Sequence, residues 1–271
     1  LGDFQVAAKC VVVRVTEGLD ATATMTNIIG DASAKSGLHA LVEAGPLLGF
    51  IPRLVTVPGY TWQQESGLAT LTLGTQGSSM TQAPMVAFSG GGSDPGKVLP
   101  TAEAIMGTGD DADKVVALTI LTPGKNLSGT ITVTFSGGGS EAGKVLPTAT
   151  GTIDVLANPV VTALPAILSK LLGVAVVSGP HSSLTAYTNW RETIQSERLI
   201  PLETAVKVGN PAVVVDAAPY IIGIGVRRDH EFQGRPFHSW ANQPVQGIVG
   251  PNRSIAFSLT DGATEAQSIL S

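Results

Sequence analysis

The sequence predicts an α/β (α+β) core with a parallel or mixed sheet, interrupted by an inserted antiparallel β domain. Three observations lead to this prediction. Strand and helix patterns alternate at both ends of the 271-residue chain, as they do in βαβ units. Between residues 62 and 154 helical periodicity disappears, and short alternating runs separated by Gly, Ser and Thr replace it, which is typical of antiparallel strands. This middle segment also contains an internal repeat.

The N-terminal flank has the pattern strand, helix, strand. Residues 9–15 (KCVVVRV) form a β-branched run, typical of a strand that is buried on both faces of a sheet. Helical patterns follow at 21–29 and 37–44. Residues 53–57 (RLVTV) predict the next strand, which the turn Pro58-Gly59 closes.

The C-terminal flank returns to the same alternation, so residues 1–61 and 155–271 are expected to form one discontinuous core. Gly173 is placed to end the first helix, and Ser182 or Ser183 to cap the second. The predicted elements are a helix at 159–172, a strand at 174–177, a helix at 184–195, strands at 198–202 and 212–215, a helix at 219–231 and a strand at 254–259.

The insertion, residues 62–154, contains two nearly identical stretches. FSGGGSDPGKVLPTA (88–102) and FSGGGSEAGKVLPTA (135–149) differ at two positions and are offset by 47 residues. Each has an apolar strand ending at Phe88 or Phe135, glycines that permit a wide turn, and a return strand from Lys97 or Lys144. We therefore expect a duplicated β-hairpin.

The same stretches contain the spacing of a nucleotide phosphate loop, a glycine, four residues and then Gly-Lys (Gly91 to Lys97 and Gly138 to Lys144). Val98 and Val145 stand where such a loop needs a hydroxyl group for magnesium. Pro100 and Pro147 interrupt the helix that should begin there. The sequence favours structural hairpins over nucleotide sites, and it predicts no cofactor.

Composition narrows the classes of function. Charged residues make up 14% of the chain and the net charge is −5, which argues against non-specific binding of nucleic acid. The apolar segments are too short for a membrane-spanning helix. Cys10 is the only cysteine, so no internal disulfide is possible. Because the chain begins at Leu1, directly before an apolar strand, we expect a fragment that lacks terminal material.

Two candidate sites also have simpler explanations. In GPHSS (179–183), His181 and a serine lie between a strand and a helix and could pair with Asp216 as a hydrolase site. No Gly-x-Ser-x-Gly elbow frames the serine, and a cap is the simpler role. His230 and His238 lack a third ligand at metalloenzyme spacing, so no metal site is predicted.

The helix predicted at 219–231 ends in a charged cluster. Arg227, Arg228 and Asp229 are explained either as a solvated helix end or as salt bridges to a neighbouring subunit. Gly223 and Gly225 each cost the helix about 1 kcal/mol relative to alanine, which close packing of another backbone would explain. The predicted subunit or domain contacts are Arg227, Arg228, Asp229, Trp240 and Asn242.

The flanks resemble the core of contractile-tail sheath proteins from bacteriophages and R-type particles. The resemblance lies in VVVRVTEG (11–18), TNIIGDASAKSGLHALVEA (26–44), GFIPRLVTVPGYT (49–61) and the run from Ala218 to the C-terminal FSLTDGATEAQSIL. Together these stretches and their surroundings cover about two-thirds of the chain. The insertion lies outside the resemblance.

This resemblance implies a mechanical, non-enzymatic role in the virion. Sheath subunits assemble in the host cytoplasm as helically stacked hexameric rings around the tail tube protein, between baseplate and tail terminator. They contract to drive the tube through the host envelope. Extended terminal arms join the sheet of a neighbouring subunit by strand addition. We expect this chain to lack those arms and to be monomeric when alone, with no nucleic acid or membrane insertion.

Two alternatives to the sheath remain from the sequence. The insertion could be a module that binds glycans on a cell surface. The other alternative is the hydrolase around His181 and Asp216.

Overall fold

The computed structural model describes residues 8–203, 205–234, 238–241 and 243–253. The chain divides into two compact units, Leu1–Gln63 with Ala157–Ser271, and Gln64–Leu156. We call them the core unit and the insertion. Their boundaries lie two residues beyond those expected from the sequence.

The described residues form five α-helices, two 3-10 turns and twelve strands. The helices are α1 (Ala21–Ile29), α2 (Ala44–Leu48), α3 (Pro159–Leu171), α4 (Leu184–Glu192) and α5 (Ala218–Glu231), with 3-10 turns at Gly37–Glu43 and Gly109–Asp111. The strands are β1 (Leu54–Val55), β2 (Ser66–Thr75), β3 (Pro84–Gly90), β4 (Thr101–Met106), β5 (Val115–Thr122), β6 (Ile131–Gly137), β7 (Thr148–Val155), β8 (Val174–Ser178), β9 (Leu199–Leu202), β10 (Val206–Val208), β11 (Val213–Val215) and β12 (Gly250–Pro251).

The core unit is mixed α/β. Its parallel sheet has the order β1-β8-β9, and a small antiparallel sheet has the order β11-β10-β12. The central strand β8 is the most buried, with no exposed area at residues 175–177. Helix α3 packs against β8 and α1, and its buried face includes Leu164 and Leu168 in the main hydrophobic cluster.

Side-chain caps fix where two of these helices begin. The Asp20 carboxylate accepts a hydrogen bond from Ala23 N at 2.7 Å, and α1 starts at the next residue. The buried Asn158 caps α3 by accepting from Val161 N at 3.0 Å. Such caps satisfy helical N–H groups that have no partner within the helix.

The strand predicted at residues 9–15 is not formed. The segment has no strand partner among the described residues, and it is not buried on both faces. Val11, Val13 and Val15 pack against the core, whereas Val12 is 84% exposed. The β-branched run therefore makes an extended segment with one apolar side.

Two other predictions need correction. The helix predicted at 37–44 is a 3-10 turn over Gly37–Glu43 that continues into α2. At the end of α3 the left-handed residue is Leu172, with φ 51°, and not Gly173. Gly173 is needed because a Cβ atom there would lie 2.5 Å from Arg53 O. The strand predicted at 254–259 lies outside the described residues.

The insertion is all β, but its strands do not pair as two separate hairpins. β3 pairs with β4 only through Met85 and Glu103, and its full antiparallel ladder is with β6. The sheets have the orders β5-β4-β3-β6 and β2-β7. The return strands begin at Thr101 and Thr148, later than the lysines from which the sequence predicted them.

Candidate functional site

The core unit contains an apolar cleft of about 1530 Å³. Residues 8–13 and Val15 line one part of it and residues 50–58 another. Ile28, Leu38 and Leu41, from α1 and the 3-10 turn, contribute further apolar surface. The lining is therefore mainly aliphatic, with main-chain groups of two extended segments beside it.

Each of the two extended segments, 9–15 and 53–57, has a main-chain edge that pairs with no described strand. Residues 9–15 make no main-chain hydrogen bond to another described main-chain group. β1 pairs with β8 through Leu54 and Val55, and among the described residues no strand pairs with its other edge. An unpaired edge of this kind is a ready template for another strand.

Proline limits the length of that free edge. Pro52 and Pro58 flank β1, and a proline has no N–H group to donate to a ladder. Main-chain pairing along the edge is therefore restricted to residues 53–57. At about 3.3 Å per residue in a parallel strand, this edge accepts a strand of about five residues.

One face of α5 also lines the cleft. Pro219, Ile222, Gly223, Val226 and Asp229 all contribute, and their spacing of three or four residues places them on one side of a helix. A Cβ atom at Gly223 would meet nothing within 4 Å. This glycine leaves open space in the cleft that a larger residue would reduce.

The predicted contact residues Arg227 and Arg228 have partners within the chain. Arg227 is 7% exposed and donates to Gln243 Oε1 at 3.0 Å and to Pro244 O at 3.3 Å. Arg228 donates to Glu231 Oε2 at 2.6 Å and lies over the ring of Phe232. Both guanidinium groups thus hold the end of α5, and a contact with another subunit stays a prediction.

The other predicted contact residues have different positions. Asp229 lies on the cleft-lining face of α5. Trp240 packs against Gly225 on the same helix. Asn242 lies outside the described residues.

The residues of the hydrolase hypothesis, His181, Ser183 and Asp216, do not form a catalytic arrangement. Asp216 accepts from Gly59 N at 2.9 Å, from Ala218 N at 2.8 Å and from Ser178 Oγ. His181 instead meets Trp62 edge to face at 5.5 Å, and Ser183 caps α4 through Ala186 N at 3.1 Å. By these hydrogen bonds the Asp216 carboxylate links the segment after β1, the end of β8 and the start of α5. This role is structural.

The two glycine-rich loops are built around their own lysines. Lys97 Nζ donates to Gly92 O at 2.6 Å and to Gly90 O at 3.1 Å. Lys144 does the same with Gly139 O at 2.5 Å and Gly137 O at 2.7 Å. A phosphate loop directs amides and a free ammonium group at its ligand, whereas here the ammonium groups bind loop carbonyls.

The described part of the chain offers little else that indicates chemistry. Within it, no group of three or more His, Cys, Asp or Glu side chains is arranged to hold a metal ion. None of its helices combines the length and apolarity needed to cross a membrane. The chain matches no protein-family model, and no curated protein matches it significantly.

Sequence reasoning missed the cleft, although its signals were present. Periodicity predicts strands at 9–15 and 53–57, but it reports burial and not the partner of each strand edge. The proline at each end of 53–57 and the glycine at 223 were visible. Only the tertiary arrangement brings these residues together around one cleft.

Proposed function

We propose that this chain is a structural, non-enzymatic subunit of a contractile bacteriophage tail sheath. Its copies form helically stacked hexameric rings around the tail tube protein, between baseplate and tail terminator. They contract to drive the tube through the host envelope. The protein assembles in the bacterial cytoplasm and works in the virion, without a cofactor, nucleic acid or membrane insertion.

The observation that best supports this proposal is the strand-sized cleft beside β1. Its occupant is an extended segment of another copy, which adds a strand to the free edge at residues 53–57. Main-chain hydrogen bonds supply affinity in such an addition, and alternate side chains supply specificity. Apolar residues on several sides, including Ile28, Leu41 and Ile222, fit a segment with apolar side chains.

Charge and local geometry agree with a protein occupant. Only 14% of the residues are charged, well below the usual quarter. Gly223 is exposed and faces open space, although glycine inside a helix costs about 1 kcal/mol relative to alanine. Close approach of another chain to α5 at this position would explain why the helix tolerates this cost.

The proposed movement requires no nucleotide. If subunits behave as nearly rigid bodies, contraction exchanges one set of interfaces for another. A difference of a few kcal/mol per subunit between the two packings, multiplied over many copies, is enough to drive the change. The lysine-centred loops of the insertion give no reason to add a nucleotide to this account.

Substitution of Gly223 tests the cleft. Gly223→Ala is expected to stabilise the isolated subunit, because alanine favours the helix by about 1 kcal/mol, and to weaken assembly at least tenfold by narrowing the cleft. Thermal melting and sedimentation of assemblies measure the two effects. Gly250→Ala is the control, since Gly250 also faces open space but does not line the cleft.

Cys10 gives an independent readout of occupancy. It is the only cysteine, it is exposed and it lines the cleft. We expect a maleimide to label it in subunits and to label it at least tenfold more slowly in assemblies. Equal labelling in both states, or normal assembly by Gly223→Ala, would contradict strand addition at this cleft.

A further inference from the structure

We infer that the insertion is an intertwined pair of repeats that can also form between two copies of the chain, each copy supplying one repeat to the other. The repeats are residues 62–108 and 109–155. The partner is a second insertion, and the surface is the one the repeats already use for each other. This inference does not depend on the proposed sheath function.

The structure has an approximate two-fold axis between the repeats. Ala87 pairs with Thr134 in the β3–β6 ladder, and these residues are counterparts at the 47-residue offset of the repeat. From that pair the ladder runs outward equally, to Pro84 with Gly137 and Gly90 with Ile131. A strand that pairs antiparallel with its own counterpart is the arrangement of a two-fold interface.

Contacts away from the axis are reciprocal as well. Several main-chain contacts from the first repeat to the second have a counterpart in the opposite direction. The β-bridge between Ser78 and Val145 corresponds to the bridge between Lys125 and Val98. The hydrogen bond from Leu68 N to Pro123 O corresponds to the bond from Val115 N to Gln76 O. The hydrogen bond from Thr81 N to Gly138 O corresponds to the bond from Ser128 N to Gly91 O.

Neither repeat has a strand ladder of its own. β2 pairs with β7, β4 with β5 and β3 with β6, and every one of these ladders joins the two repeats. The single pair within a repeat is Met85 with Glu103. The fully buried Met80 and its counterpart Leu127 lie in two clusters, each built from both repeats. One repeat therefore depends on another for its strand pairing and core.

A second copy of the chain can supply that complement without any new contact. One short connection, residues 107–114, joins the repeats, and it is the turn between β4 and β5. Gly109, Asp110 and Asp111 at its tip are exposed. If this turn opens, the repeats of two chains can pair reciprocally. The two parts of the core unit, Leu1–Gln63 and Ala157–Ser271, continue from the two ends of the insertion, so they exchange together with the repeats. With that exchange, only the connection differs between the closed and the exchanged form, as in domain swapping.

Disulfide trapping in the otherwise intact chain tests the exchange. In a Cys10→Ser background, one chain carries Ala87→Cys and a differently tagged chain carries Thr134→Cys, and the two are co-expressed. Residues directly opposite in an antiparallel pair lie within disulfide range. Exchange predicts a covalent heterodimer on non-reducing electrophoresis. A single chain with both substitutions must close an internal disulfide, which verifies that the insertion folds.

Two controls make the result decisive. Thr72→Cys is equally exposed but pairs with Thr150, so mixed with Thr134→Cys it must give no heterodimer. Gly109→Ala and Gly129→Ala strain two glycines of similar φ, 64° and 75°, with open space around both. Only Gly109 lies in the connection. We expect Gly109→Ala to raise the heterodimer yield about tenfold, since exchange relieves the left-handed strain, and Gly129→Ala to leave it unchanged.

The inference is overturned by either of two outcomes. One is the absence of a heterodimer from the matched mixture while the doubly substituted single chain closes its disulfide. The other is an equal heterodimer yield from matched and mismatched mixtures, which would indicate random collision of exposed cysteines.

Discussion

Gly225 lies against the indole ring of Trp240, so closely that a Cβ atom at position 225 would stand 2.5 Å from Trp240 Cζ2. Gly223, two residues earlier on α5, faces open space on the cleft side. The same residue type therefore has two roles on one helix. Gly225 admits a side chain of its own chain, and Gly223 keeps the cleft wide.

Alanine at these two positions is predicted to have opposite effects on stability. Gly225→Ala forces the Trp240 ring to move and should lower the free energy of unfolding by about 1–3 kcal/mol. Gly223→Ala should raise it by about 1 kcal/mol through helix propensity. Urea denaturation followed by circular dichroism measures both. Changes of the same sign would contradict the assigned packing.

Asp216 is predicted to be structural. Asp216→Ala leaves Gly59 N, Ala218 N and Ser178 Oγ without their acceptor, and we expect a loss of about 3 kcal/mol because bonds to a charged group are the strong ones. Ser178→Ala removes only one of these bonds and should cost about 1 kcal/mol. Chemical denaturation compares the two, and equal losses would show that the network is not centred on Asp216.

The loop lysines are predicted to stabilise the insertion and not to bind nucleotide. Lys97→Met and Lys144→Met each remove two bonds to loop carbonyls and should each cost about 1 kcal/mol. The two losses should be similar, because the loops are counterparts. Thermal melting measures them with and without ATP and magnesium. A rise in melting temperature with ATP that either substitution abolishes would restore the phosphate-loop hypothesis.

Tyr187 is predicted to make stability fall at high pH. Burial raises the pKa of its phenol above 10.0, with Glu203 adding to the rise and Arg191 opposing it. The folded state then keeps its proton at pH values where the unfolded chain has lost it, so stability falls as pH increases through the window above about 10. Tyr187→Phe should flatten this fall, measured by denaturation between pH 9 and 11. An unchanged slope would contradict the assignment.

Local patterns predicted much of the fold. Helix α1 lies over the residues where periodicity predicted it, and strands β3 and β6 end within two residues of Phe88 and Phe135. Caps, turns and one-sided burial depend on only a few neighbouring residues, so the sequence can show them. Strand pairing is not local. The hairpins expected at 88–102 and 135–149 pair mainly across the repeats instead, since identical repeats offer each strand two chemically similar partners.

The candidate site was less predictable than the fold. The sequence predicts contacts at the charged cluster of Arg227 and Arg228, whereas both side chains bind groups of their own chain. The cleft depends on residues that look ordinary in sequence, such as Val13 and Ile222. An unpaired edge is a property of the assembled sheet, so no single stretch of sequence shows it.

Electron microscopy of the full-length protein, purified after expression without other phage proteins, tests the sheath proposal most directly. The proposal predicts hollow tubes built from stacked six-fold rings, with fewer tubes for Gly223→Ala than for Gly250→Ala. Dispersed single subunits from an intact, folded protein across a wide range of concentration would contradict it.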